Sequence, residues 1–258
     1  MTASGSAPLL WAVLPAYNEE AGIGATLAAL ASQTDTGFAL AVVDNASTDA
    51  TAAVVRRFAA TAPFPVHLVH EEEQGTGTAV DTGFRYAVAH GAALLVRTDA
   101  DCLPAADWIA AARQEFARGT EMACGRSLPR RDERPSPAER YLLPVVVRAT
   151  ALYGRYRTEH RHPRYRAPYV LCHGHNLAIT ADLYLRCGGT PRTALEGPPE
   201  DVVLLNRARE HSHRIVRAER MVVHTSLRRL RAWGTRRTLL WCWDRRYRPA
   251  DPKQVHVR

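Results

Sequence analysis

Two acidic side chains one residue apart, Asp99 and Asp101 in Thr-Asp-Ala-Asp-Cys, follow directly on the apolar run Leu94–Val96. In an extended backbone, residues i and i+2 point to the same side, so both carboxylates converge at a strand end. Left alone they repel each other, and a cation between them removes the conflict. All-oxygen ligation favours Mg²⁺ or Mn²⁺ over zinc. An ion held there can bridge a diphosphate and stabilise its negative charge as it leaves. An isolated D-x-D pattern is common, and a solvated turn with two incidental aspartates is the plain alternative. The position of the pair after a fourth β-α unit favours metal.

Other chain positions carry compatible chemistry. Asp44 closes the apolar run in Val-Val-Asp-Asn-Ala-Ser-Thr-Asp, where its carboxylate can accept a hydrogen bond from the imide N–H of a uracil or an equivalent base edge. Ser47, Thr48 and Asp49 have the character of helix N-caps. The first run ends in Leu14-Pro-Ala-Tyr-Asn-Glu-Glu20, and at that end lie Pro15, Tyr17, which can stack on a base, and Glu19, which can contact a ribose hydroxyl. The same residues also read as a helix start, with Asn18 as N-cap and Glu19 and Glu20 in the first turn. Gly75-Thr-Gly-Thr lies between the third run and its helix; position 80 is Val, so it is no dinucleotide fingerprint, and no P-loop is present. Glu200 and Asp201 follow Pro198 and Pro199 and open a helix. A helix N-terminus favours the ionised carboxylate, which suits a general base, although simple acid placement at a helix start explains them as well. His173 and His175 flank Gly174 in an extended stretch, so they can share a face, and His224 follows the strand Arg220–Val223.

The elements that must position these groups are legible as an alternation. Apolar runs at Leu9–Leu14, Phe38–Val43, Val66–Val69 and Ala93–Arg97 alternate with helical segments at Glu19–Gln33, Asp49–Thr61, Thr78–His90 and Pro104–Arg118. Repeated β-α units imply an α/β fold with a mostly parallel, Rossmann-like central sheet flanked by helices. Such sheets bind ligands at the carboxyl ends of their strands, where the acidic residues above fall. Residues 126–168 break the rhythm and read as an Arg- and Pro-rich insertion or lid, with a helix over Tyr141–Leu152. Tyr169–Thr180 resumes an extended pattern, Glu200–Glu210 is helical, Arg214–His224 is a strand, and Leu227–Tyr247, with Trp233, Trp241 and Trp243, is helical. This divides one domain into residues 1–125, 126–168 and 169–258.

The chain has 258 residues, 46% hydrophobic and 23% charged, enough for a core that needs no staples. No apolar run approaches a bilayer-spanning length. Met1–Pro8 lacks a secretory pattern. The five cysteines (Cys102, Cys124, Cys172, Cys187, Cys242) form no C-x-x-C pair, so a reducing cytoplasm is expected. The net charge of +8 is unevenly spread: residues 1–125 carry −8, residues 126–168 carry +7, residues 169–206 carry −2 and residues 207–258 carry +11. Such polarity suits a protein that handles something anionic.

Taken together, Leu14–Glu20, Val42–Thr51, Gly75–Ala87, Thr98–Asp101, Gly188-Gly189 and Glu200-Asp201 resemble, in order and spacing, a family 2 glycosyltransferase with the GT-A fold. The resemblance covers roughly residues 9–210. It implies an inverting, non-processive enzyme: Asp44 on the nucleobase, Asp99 and Asp101 on the diphosphate–metal unit, Asp201 deprotonating the acceptor hydroxyl, and His224 as a further metal ligand of the kind some relatives use. The chain departs from the family pattern in having Asn45 after the base-binding Asp and Thr76 in place of a basic residue. It also lacks the Gln-x-x-Arg-Trp motif of processive synthases; Arg228-Arg-Leu-Arg-Ala-Trp233 is only superficially like it.

The expected partners are a nucleoside-diphosphate sugar, foremost a UDP-sugar, and a hydroxyl-bearing acceptor, with Mg²⁺ or Mn²⁺ as cofactor and no nucleic acid. Peripheral membrane contact and a homodimer stay open. The alternatives are a nucleotidyltransferase with a similar sheet, and a basic protein that binds nucleic acid or a membrane surface through the Arg- and Trp-bearing C-terminal segment.

Overall fold

Strand β1 (Leu10–Ala16) is buried at all seven positions, as is β2 (Phe38–Asp44) beside it. A strand without an exposed position must be covered on both faces, which is why both read as continuous apolar runs. They pair in parallel, with β3 (Val66–His70) outside β2 and β4 (Leu94–Arg97) on the other side of β1. Alternate residues feed two cores. Trp11, Val13, Ala41 and Val43 pack with Val80 and Phe84 of α3 (Thr76–Ala89). Leu10, Leu14, Leu40 and Val42 pack on the opposite face with Leu27 and Leu30 of α1 (Ile23–Ala31), Val55 of α2 (Thr51–Ala59) and Trp108 and Ile109 of α4 (Trp108–Ala117). The computed structural model describes residues 9–156, 161–192, 199–228, 230–232 and 234.

Beyond β4 the sheet becomes mixed. Its order is β3-β2-β1-β4-β7-β6-β8-β5, completed by β5 (Cys102–Pro104), β6 (Met122–Pro129), β7 (Leu177–Thr180) and β8 (Ile215–Thr225). Strand β7 is antiparallel to β4 and β6, β8 is parallel to β6, and β5 is antiparallel to β8. Helix α5 (Leu143–Tyr156) follows a π-helical turn at Ala138–Leu142, α6 (Ala181–Arg186) follows β7, and α7 (Glu200–His211) precedes β8.

Several boundaries differ from the sequence expectation. Pro104 does not open a helix; it ends β5 opposite Val223. Asn18 is not an N-cap: it sits at φ 51°, and α1 starts only at Ile23. The left-handed backbone at Asn18 interrupts the helical path, and the N–H groups of Asn18, Glu19 and Glu20 bond the side chains of Ser47, Thr51 and Asp49, which tie this segment to the loop after β2 and the start of α2. The extended stretch Tyr169–Thr180 enters the sheet only from Leu177. The boundary at 125/126 falls inside β6, at a shift in register against β8. Buried Asn176 fills that irregularity: its amide donates to the carbonyls of Arg126 and Met221 and accepts from the Trp108 indole. Of the helix expected over Leu227–Tyr247, residues 228, 230–232 and 234 are helical; Trp233, Trp241 and Trp243 lie outside the described residues, as does Pro198. No helix among the described residues is long and apolar enough to cross a membrane.

Helix α3 lies close on the sheet because Gly83 faces it. A Cβ there would stand 2.5 Å from Val13 Cγ1 and 2.8 Å from Val43 Cγ2. Gly83→Ala should therefore destabilise the fold by about 1–3 kcal/mol through overpacking. A lowered urea midpoint at unchanged m-value is the expected reading; an unchanged midpoint would mean that α3 can lift off the sheet freely.

Candidate active site

The carboxyl ends of β1, β2 and β4 and the start of α3 surround one concavity. Pro15, Tyr17, Glu19, Asn45, Gly75, Thr76, Asp99, Asp101 and Arg228 line it. The loops are tied together from beneath: Asn45 donates to the carbonyls of Glu71 and Glu73 and accepts from the Gly75 N–H at 2.8 Å. Asn45, which departs from the family pattern, thus holds the segment that ends in Gly75. Asp44 is buried behind it, accepting the Ser47 N–H at 3.2 Å, with His70 Nδ1 at 3.8 Å from its other oxygen.

Each aspartate of the D-x-D pair is held by its own arginine. Arg97, only 2% exposed, donates from Nε to Asp99 Oδ1 at 3.0 Å and from Nη2 to Glu200 Oε1 at 3.1 Å. Gly174 makes room for it, since a Cβ there would meet the guanidinium at 3.0 Å. Burial works against the charge on Arg97, yet Asp99 and Glu200 hold its pKa above the ordinary value. Arg228 grips Glu19 with both terminal nitrogens and lies 3.2 Å from Asp101 Oδ2. Burial pushes the Glu19 carboxyl up, against the opposing pull of Arg228. Arg130 donates to the Asp101 carbonyl at 3.1 Å and fixes that turn.

The side chains of Asp99 and Asp101 remain 30% and 21% exposed and both face the concavity. Asp99 Oδ2 carries no hydrogen bond among the described residues. The donor set is hard and all-oxygen, so it fits a small divalent ion. Among the described residues no group of three or more His, Cys, Asp and Glu side chains gathers to hold a metal. Two partly exposed carboxylates without a protein cage suit an ion that takes its remaining ligands from phosphates and water, with Arg228 moving off Asp101 to admit it.

Not every predicted residue arrives here. His224 lies on β8 opposite Leu103, with Nδ1 3.3 Å from the Pro129 carbonyl, and it does not line the concavity. His173 and His175 do share a face, their rings stacked at 5.3 Å, with His175 bonded to Ser127. Asp201 is buried in the first turn of α7, accepting the Gly174 and Val202 N–H groups at 2.9 and 2.8 Å. Its helix borders the concavity through α3: a Cβ on Gly77, beside Thr76, would stand 3.2 Å from Glu200 Cβ. Gly189 closes the other side of α3. Its φ of 88° and the 2.4 Å between an added Cβ and Asp81 Oδ1 leave room for glycine alone.

The functional reading of the sequence missed Arg97 and Arg228. Arg97 left a signal, a charge at the end of an apolar run, since a buried arginine needs partners. Arg228 left none that separates it from the arginines around it.

A model described as glycosyl transferase family 2 matches residues 11–182. Over 104 residues the chain is 33% identical to the glycosyltransferase AglE of Haloferax volcanii; the match covers 40% of this chain and 33% of that protein, so the chain spans about a third of the length of this curated relative. Among solved structures, the mannosyltransferase PcManGT from Pyrobaculum calidifontis, in complex with GDP-Man and Mn²⁺, superposes at a TM-score of 0.63 with 24% identity, over 97% of this chain and 68% of that one. Glucosyl-3-phosphoglycerate synthase from Mycobacterium tuberculosis, in complex with Mn²⁺, UDP and glucosyl-3-phosphoglycerate, superposes at 0.56 with 18% identity, over 90% and 77%. The fold is that of the GT-A glycosyltransferases, and the chain belongs to glycosyl transferase family 2.

Proposed function

We propose that the protein transfers a single sugar from a nucleoside-diphosphate sugar, foremost a UDP-sugar, to an acceptor hydroxyl with inversion. The observation that carries this reading is the meeting of Asp99, Asp101, Glu19 and Arg228 around one concavity at the strand ends. Solved relatives hold UDP or GDP-Man with Mn²⁺ in the same fold, which supports a nucleotide-sugar donor. Tyr17 and Asp44 are assigned to the nucleobase, Pro15 and Gly75 to the walls of the donor site, and Glu19 to the ribose side once Arg228 turns to the diphosphate. Asp99 and Asp101 would hold Mg²⁺ or Mn²⁺, which when bound neutralises the departing diphosphate. Asp201 takes the proton from the acceptor oxygen as that oxygen attacks the anomeric carbon. Positioning and neutralisation of the leaving group supply the larger share of the rate, and the base a further 10²–10⁴-fold, roughly. The described cysteines are free and buried, in keeping with a reducing cytoplasm.

A thermal-shift panel of nucleoside mono-, di- and triphosphates with and without Mn²⁺ tests the reading. UDP with Mn²⁺ should stabilise most, and turnover should release a nucleoside diphosphate rather than pyrophosphate. Indifference to every nucleotide would overturn it.

Arg228→Ala tests the diphosphate role. A hydrogen bond to a charged group contributes about 1.5–3 kcal/mol, so the Kd for UDP should rise roughly tenfold to a hundredfold. The Kd for uridine, which has no phosphate, should stay unchanged in calorimetric titration. A parallel weakening of both ligands would assign Arg228 to pocket shape alone.

A further inference from the structure

Helix α5 presses one side to the protein, and among the described residues nothing covers the other. Gly154 decides which: a Cβ there would stand 2.7 Å from the Tyr169 ring, so the helix lies close on that side. On the opposite side Val145, Ala149, Leu152 and Tyr156 follow at i, i+4, i+7 and i+11, all exposed, with Tyr153 next to them. A stripe with this spacing normally faces a core. Here it faces outward, and Arg148 and Arg155, seven residues apart and both exposed, border it. Past the helix end, Arg161 and Arg166 share a groove with Arg155 and Tyr156. None of these four arginines has a carboxylate partner among the described residues. Two nearby acids among the described residues are engaged elsewhere: Glu210 pairs with Arg164, and Glu139 with Arg231.

Apolar side chains bordered by exposed arginines complement an anionic amphiphile. A second copy of the chain fits less well, because a symmetric pair built on this stripe brings like charges together at its border. We propose that α5 and the arginine groove at its end form a docking surface for an anionic lipid membrane. The stripe enters the boundary between headgroups and acyl chains, and the arginines meet lipid phosphates. Ahead of α5, Glu133 accepts the Leu227 N–H and Glu139 pairs with Arg231, on either side of Arg228 along the chain.

The test is flotation of the full chain with vesicles of phosphatidylcholine, alone and with phosphatidylglycerol. The protein should float with the mixed vesicles and stay in solution with the neutral ones. Each arginine near an anionic surface is worth about fivefold in partition, so Arg148→Ala with Arg155→Ala should lower binding roughly 25-fold. Leu152→Asp should abolish it. Both variants alter exposed positions and should keep the wild-type melting temperature and UDP response, which separates this surface from the donor pocket. Equal binding to neutral vesicles, binding to neither, or binding undiminished in the variants would overturn the proposal. So would a wild-type dimer that Leu152→Asp dissociates, since the stripe would then be a contact between copies.

Discussion

Asp101→Ala should remove any Mn²⁺-dependent stabilisation of the protein by UDP and lower transfer on the order of 10³-fold. Loss of one preorganised electrostatic group aimed at developing charge has an effect of that order. Two consequences of the substitution act together. One of the two carboxylates open to the concavity disappears, and Arg228, now facing Glu19 alone, loses the anion 3.2 Å away that divides its charge between two sides of the pocket. Asp101→Asn separates them: it keeps the shape and an acceptor for Arg228 but removes the negative charge. It should reproduce the loss of Mn²⁺ dependence while disturbing the melting temperature of the free protein less than the alanine variant does. Full activity of Asp101→Ala in the presence of a chelator would overturn the assignment, and Arg228 would then be the cation that meets the diphosphate. Asp99 is predicted to be less forgiving of shape change, because Arg97 is buried and depends on it. Removing one carboxylate leaves the buried guanidinium with Glu200 as its remaining partner, so Asp99→Ala should lose stability as well as activity, and more stability than Asp101→Ala.

The parts of this architecture that were legible in the sequence are those whose physics is local. The buried runs of β1 and β2 announce themselves because a strand covered on both faces is almost wholly apolar, with Asp44 only at its end; D-x-D marks itself as two acids at a strand end, and the arginines that meet them lie elsewhere in the sequence or were not read as partners. The misread parts depend on distant partners. Strand β6 begins with Met-Ala-Cys-Gly and continues into Arg-Ser-Leu-Pro, a mixed pattern that makes sense only beside Asn176 and β8. Helix α6 has six residues, too few for a periodicity to show. The start of α1 lies beyond Asn18, whose left-handed backbone goes with ties to side chains some 30 positions away. Arg228 reaches Glu19 across 209 positions of sequence, and no spacing rule spans that interval. Asp201 was legible as an acid at a helix start, but its burial was not, since that depends on Gly174 closing over it.

Replacing Asp201 by Asn should leave donor binding in place and lower turnover by about 10²–10⁴-fold, the usual contribution of a positioned base. The N–H groups of Gly174 and Val202 and the N-terminal end of α7 favour its ionised form. An amide can accept from only one of these two donors, so the variant also loses stability, and the kinetic comparison belongs well below its melting temperature. The neighbouring Glu200 supplies the contrast. It is the more exposed of the two, at 19% for its side chain, and it bonds the same guanidinium that holds Asp99. Glu200→Gln removes a charge from that chain of contacts without removing its hydrogen-bond acceptor, so it should weaken donor binding more than it slows turnover. The two substitutions thus predict opposite signatures, a kcat defect for Asp201→Asn and a KM defect for Glu200→Gln. An exchange of those signatures would transfer the base to Glu200 and leave Asp201 as the anchor that fixes α7 against Gly174.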